Sequence, residues 1–153
     1  MKAVVQRVSR ASVEVEGKII GQIESGMVIL LGVHQEDSRE DALYLAKKIA
    51  GLRIFEDAEG KMNLALSEIS GKALVISQFT LYANTRKGRR PSFIKAAIPE
   101  KADSLYNFFM QALETEAVPV EKGIFAAMMT VNIVNQGPVT IIIDSEDRHK
   151  PRE

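Results

Sequence analysis

Apolar and polar residues alternate at the start of the chain. Val4-Val5-Gln6-Arg7-Val8 leads into Ala11-Ser12-Val13-Glu14-Val15-Glu16, and a period of two reads as half-buried strand. Gly17-Lys18 offers a hairpin turn before Ile19-Ile20-Gly21-Gln22-Ile23. Gly26 then opens a run over 27–33 that is apolar on both faces, the pattern of a central strand covered on both sides. Residues 72–79 form a second inner strand. Between these runs the period lengthens. Ser38 can cap a helix, Asp41 follows near the positive end of its dipole, and Ala42, Leu45, Ala46, Ile49 and Ala50 recur at helical spacing before a stop at Gly51. Residues 53–56 and 61–64 flank Asp57-Ala58-Glu59-Gly60 as a hairpin. Pro99 suits the first position of a second helix, whose apolar face is Ala102, Leu105, Tyr106, Phe109 and Leu113. Residues 127–134 and 139–143 read as the last two strands, joined through a turn at Gly137-Pro138. Strands dominate and the helices are inserted singly. The expected fold is therefore α+β: a curved, mostly antiparallel, barrel-like sheet with two main helices on one side. No repeat, low-complexity segment or linker divides the chain, so 1–153 is expected to be one domain.

Composition narrows the chemistry. The 153 residues are 46% hydrophobic and 26% charged, as in a soluble globular protein. Twenty Lys and Arg balance twenty Asp and Glu, so any nucleic-acid contact must come from a local patch. The absence of cysteine removes disulfides and thiolate chemistry, and fits a reducing compartment. Only His34 and His149 are available, which poorly supplies a Ser-His-Asp triad or a zinc site; no cofactor or metal is expected. His34 reads as a strand-end cap, and His149 lies in a charged tail over 144–153 expected to fray. No apolar run approaches the roughly 20 residues of a membrane helix, and the first residues do not form a signal peptide. A cytoplasmic location is expected.

Three segments carry candidate chemistry. Ser77-Gln78-Phe79-Thr80 places polar side chains around one aromatic where an inner strand should end. Its terminal N–H groups can hold an oxyanion. Thr80 is a candidate nucleophile, yet no histidine or lysine lies near it in sequence to act as base. Gly137-Pro138 is either an ordinary turn or a cis peptide that sets two carbonyls side by side as a narrow clamp. Residues 81–99 contain no acid and five bases. Arg86, Lys87, Arg89 and Arg90 around Gly88 read as a solvated loop or as contacts to the phosphates of a nucleic-acid end. Phe125 and Met129 read as core or pocket wall.

Ser77-Gln78-Phe79-Thr80-Leu81, Asn135-Gln136-Gly137-Pro138-Val139-Thr140 and the opening Met1-Lys2-Ala3-Val4-Val5-Gln6-Arg7-Val8 together resemble the D-aminoacyl-tRNA deacylase family, over essentially the whole chain. The resemblance implies a homodimer that hydrolyses the ester between a D-amino acid, or glycine, and the tRNA 3′-terminal ribose. It implies that Gly137-Pro138 is a Gly-cisPro motif reaching into the partner's active site, and that Ser77, Gln78, Phe79 and Thr80 line the pocket. Phe125 and Met129 would bind substrate there, and Arg86, Lys87, Arg89 and Arg90 would bind tRNA. Two catalytic accounts remain open: Thr80 as nucleophile, or the substrate's 2′-hydroxyl assisted by backbone N–H groups. The scarcity of histidine favours the second. Outside this family, a non-catalytic nucleic-acid-end binder and a small-molecule-binding oligomer are the competing readings.

Overall fold

The computed structural model describes residues 1–153. Its elements in chain order are β1 (Lys2–Val15), β2 (Lys18–Ile23), β3 (Gly26–Gly32), α1 (Arg39–Ala50), β4 (Phe55–Glu56), β5 (Met62–Leu64), β6 (Lys72–Ser77), α2 (Pro99–Thr115), β7 (Val120–Lys122) and β8 (Thr130–Asp144). Short 3-10 turns occupy Leu66–Ile69, Phe79–Tyr82 and Ser145–His149.

Strand β1 is the template of the sheet. Its first half pairs antiparallel with β3, from Lys2 opposite Gly32 to Val8 opposite Gly26. Its second half pairs with β2, and its other edge carries β8 from Lys2 opposite Asp144 to Glu14 opposite Thr130. β3 continues in parallel to β6, and β6 in parallel to β7. The sheet curls until β2 approaches β7. A Cβ built on Gly21 would lie 2.7 Å from the Lys122 carbonyl oxygen. The β1–β2 turn is made by Glu16 and Gly17, with φ of 51° and 77°. Two successive left-handed residues match the twist of a tight hairpin.

The runs of 27–33 and 72–77 are apolar on both faces because two cores meet there. Met27, Ile29, Leu31 and Val75 pack with Leu45, Ile49, Phe109 and Leu113 of the two helices. Val28, Leu74 and Ile76 point into the curled sheet with Val8, Val13 and Ile23. Each such burial contributes about 1.5–3 kcal/mol. β3 starts at Gly26 for steric reasons: a Cβ there would fall 1.9 Å from the Lys72 carbonyl oxygen. In α1, the Asp41 carboxylate accepts the Ser38 backbone N–H at 2.9 Å, which closes the expected cap.

The first two apolar runs form a single strand, β1. Two expectations are corrected, and one strand is added. β8 is likewise one strand, and Gly137-Pro138 lies in a bulge within it rather than in a turn between two. β1 is long enough to pair with both halves, so the chain need not reverse. From Gln6 to Arg10 the opposing strand runs from Thr140 to Val134, two residues more. β7 was not foreseen; three residues of mixed polarity are held by pairing with Ala73, Leu74 and Val75. Finally, the charged tail does not fray at its start. The Met1 α-ammonium donates to Asp37 at 2.6 Å and to the Ser145 hydroxyl at 2.7 Å, and Ser145 is fully buried. Arg148 reaches Asp41 at 3.2 Å and Glu40 at 3.3 Å. Burial raises the Asp41 carboxyl, but hydrogen bonds from Ser38 and Ser145 and the Arg148 charge outweigh it and hold it below its ordinary value.

Candidate active site

β6 ends at Ser77, two residues earlier than its apolar run, because the chain turns there. The Gln78 N–H donates to the Leu31 carbonyl at 2.8 Å, which fixes the strand end against β3. Phe79 and Thr80 then head a 3-10 turn. Its internal bonds run from Leu81 N–H to the Gln78 carbonyl at 3.2 Å and from Ala83 N–H to the Thr80 carbonyl at 3.1 Å. The first N–H groups of such a turn have no partner within it. The Thr80 hydroxyl is hydrogen-bonded by the Gln78 side-chain amide and by no histidine, lysine or carboxylate.

Beside this turn lies a cavity of about 560 Å³. Ser77, Gln78, Phe79, Phe125 and Met129 line it together with Phe93; Thr80 sits just outside the wall. The Phe93 ring meets Phe79 edge to face, with centroids 5.1 Å apart. Phe125 packs on Tyr106 at 6.1 Å, and the Tyr106 hydroxyl donates to the buried Val75 carbonyl at 2.7 Å. Burial, followed by the Asp103 charge, pushes the Tyr106 phenol well above its ordinary value, so it stays a neutral donor. Met129 lies against Gly123, where a Cβ would come within 2.5 Å of its sulfur. The wall is thus apolar, with polar groups confined to the Ser77–Gln78 end.

The basic loop leaves and re-enters this wall. Asn84 and Ser92 exchange two backbone hydrogen bonds, of 2.7 and 2.9 Å, that close the loop at its base. The Arg86 N–H donates to the Asn84 side-chain oxygen at 3.0 Å. Arg86, Lys87, Arg89 and Arg90 are all exposed and enter no ion pair.

Gly137 and Pro138 are elsewhere. Their peptide is cis, and Gly137 has φ of 137°. Gly137 lines a separate, polar cavity of about 330 Å³ with Arg7, Glu56 and Gln136. Arg7 is the residue that sequence reasoning missed. Its Nε donates to the Gln136 carbonyl at 2.9 Å and its Nη1 to the Ile54 carbonyl at 2.8 Å. The guanidinium therefore props the bulge from below, with Glu56 at 3.9 Å. The available signal was parity: Ala3 and Val5 are buried, and a charged Arg7 follows on the same inward-facing row. Asn135 braces the bulge from the other side, its carbonyl oxygen accepting the Val139 N–H at 2.8 Å.

No three His, Cys, Asp or Glu side chains gather as a metal site would need, and no helix is long and apolar enough to cross a membrane.

A family model described as D-Tyr-tRNA(Tyr) deacylase matches residues 4–144. A D-aminoacyl-tRNA deacylase of Dehalococcoides mccartyi (strain CBDB1) is 60% identical over 152 residues, 99% of each chain. One from Fervidobacterium nodosum is 57% identical over 146 residues, 95% of this chain and 98% of that one. Among solved structures, a c-Myc DNA Unwinding Element Binding Protein is 40% identical with a TM-score of 0.88, covering 94% of this chain and 98% of that one. A probable eukaryotic D-amino acid tRNA deacylase is 16% identical with a TM-score of 0.77, over 94% of this chain and 98% of that one, a likeness of fold.

Proposed function

Because this chain belongs to the D-Tyr-tRNA(Tyr) deacylase family and is a D-aminoacyl-tRNA deacylase, we propose that its ester hydrolysis takes place in a site built from two copies of the chain. The Ser77–Thr80 segment of one subunit would hold the scissile carbonyl, with the leading N–H groups of its turn as oxyanion donors. Phe125 and Met129 would form the wall for the terminal nucleoside. Gly137 and Pro138 of the partner would close the site against the substrate α-carbon. Two backbone carbonyls there leave room for hydrogen only, so an L side chain is excluded and a D side chain points away. Glycine, having no side chain, should also pass. With no base beside Thr80, the substrate's 2′-hydroxyl is the better nucleophile-assisting group.

One observation carries this reading. Within a single chain, Gly137 and Ser77 to Phe79 line two different cavities, which favours a site completed by a second copy. β8 also offers an exposed face on which a second copy can seat: Val134 and Ile142 are exposed there. The test is complementation. Gly137→Ala disrupts the bulge, since its Cβ would lie 2.8 Å from the Val139 side chain. Ala127→Trp fills the larger cavity. Each variant alone should hydrolyse D-tyrosyl-tRNA poorly or lose rejection of L-tyrosyl-tRNA. Mixed dimers should regain one working site; no regain would place both segments in a single subunit's site.

A second reading follows from the 40% identical neighbour, whose name refers to a DNA element. A pure nucleic-acid binder would bind tRNA without turning over its D-ester.

A further inference from the structure

Phe79 is 55% exposed although it heads a rigid turn at the end of an inner strand. An aromatic ring left half in water beside an apolar cavity is an unused contact surface. Its edge-to-face partner Phe93 occupies one face of one ring, which leaves the remaining faces for a ligand. The pair is firmly placed. Ser92 is bonded to Asn84, the Phe93 carbonyl accepts the Ala96 N–H at 3.0 Å, and the Ala97 N–H donates to the Val33 carbonyl at 2.9 Å. Between the two phenylalanines runs the loop with Arg86, Lys87, Arg89 and Arg90, all exposed. Ile94, immediately after Phe93, is 83% exposed. An exposed aromatic next to unpaired arginines is the pairing by which proteins hold single-stranded nucleic acid: bases stack, phosphates pair.

We infer that Phe79 and Phe93, with the Arg86–Arg90 loop, form a second subsite that takes the unpaired nucleotide on the 5′ side of the esterified terminal nucleoside. Its base stacks on the phenylalanine pair, and its phosphate faces the loop arginines. This rests on the deacylase reading and extends it. The cavity lined by Phe125 and Met129 takes the terminal nucleoside; the aromatic pair at its rim takes the next base. The ligand is an RNA strand rather than an apolar peptide, because residues 81–99 hold five bases and no acid. Stacking is tolerant of base identity, so the subsite adds affinity without reading sequence.

Three substrates test it: D-tyrosyl adenosine, the D-tyrosyl ester of CpA, and the same dinucleotide with its first base removed but its phosphate kept. With the wild-type protein, the intact dinucleotide should show kcat/KM on the order of ten-fold above its abasic form, expressed in KM. Phe93→Leu should shrink that ratio towards one, and Phe93→Tyr should restore it. Arg86→Ala with Arg90→Ala should lower both dinucleotides alike and leave the ratio standing. Equal rates for the intact and abasic dinucleotides with the wild-type protein would overturn the subsite, with no variant needed. Failure to hydrolyse any D-tyrosyl ester, full-length tRNA included, would instead defeat the deacylase reading.

Discussion

Arg7→Met should loosen the Gly137–Pro138 bulge while leaving the rest of the sheet in place. Methionine keeps most of the unbranched stem, so packing around a side chain that is only 9% exposed changes little. What disappears is two hydrogen bonds from a charged donor, to the carbonyls of Gln136 and Ile54. Such bonds are worth about 1.5–3 kcal/mol each. The two losses differ. Ile54 is buried at 5% exposure, so its carbonyl is left without a partner, whereas Gln136 is exposed and its carbonyl can take water. The solvated Glu56 partner at 3.9 Å adds little. Removing a buried charge also recovers part of its desolvation cost. The net destabilisation should be about 2 kcal/mol, read as a lower urea midpoint at unchanged m-value. If the bulge sets chirality, the same freedom should cost at least about ten-fold in the ratio of D- to L-tyrosyl-tRNA hydrolysis, since about 1.4 kcal/mol is one decade. Arg7→Lys should fall between, because one ammonium cannot replace a planar fork that reaches two carbonyls. A stability loss below about 0.5 kcal/mol, the range of an inconsequential surface change, together with intact rejection of the L-ester, would refute the prop.

Thr80→Ala should retain kcat/KM within about ten-fold, the worth of one neutral hydrogen bond, while a 2′-deoxy terminal adenosine should be a poor substrate. A drop of several orders of magnitude in the folded variant would restore Thr80 as nucleophile. Neutralising Arg86, Lys87, Arg89 and Arg90 together should weaken tRNA binding and reduce the log–log salt slope by about 0.7 for each phosphate that the loop no longer neutralises; an unchanged slope would make the loop a solvated surface. The Asp41 carboxyl sits below its ordinary 3.8 in the fold. Its contribution should therefore be complete above that pH and fall away as pH drops beneath it. Asp41→Asn should flatten this acid limb in pH-dependent urea melts, and an identical limb in the variant would count against it.

Local patterns that matched their surroundings were legible in the sequence. The doubly apolar runs of β3 and β6, the Ser38–Asp41 cap and the 53–64 hairpin each follow from neighbours in the chain. The Ser77–Thr80 segment was legible as a strand end for the same reason. Features set by distant partners were not. β7 exists because β6 offers it an edge. The tail is ordered because Ser145 meets the Met1 ammonium, across 144 positions of chain. Arg7 reads as one polar residue in an alternating strand until the bulge it supports, 129 positions away, is folded onto it. Phe93 likewise carries no local signal in the sequence, since its partner Phe79 lies on the far side of a basic loop.

The bulge in β8 holds two residues more than the stretch of β1 it faces, and that number is even. Side chains alternate across a strand with a period of two, so an even insertion keeps the odd-numbered apolar residues of both arms turned to the protein and the even-numbered ones to solvent. Val131 and Ile133 before the bulge pack on the core inside the curled sheet, and Val139, Ile141 and Ile143 after it pack on the core shared with the helices. One residue more or fewer would turn one arm of β8 inside out, sending Ile143 to water and an exposed Ile142 or Asp144 inward. Loop length in this segment is thus quantised. It can be redesigned in pairs of residues, while any odd change must be repaired by a second one before the strand ends.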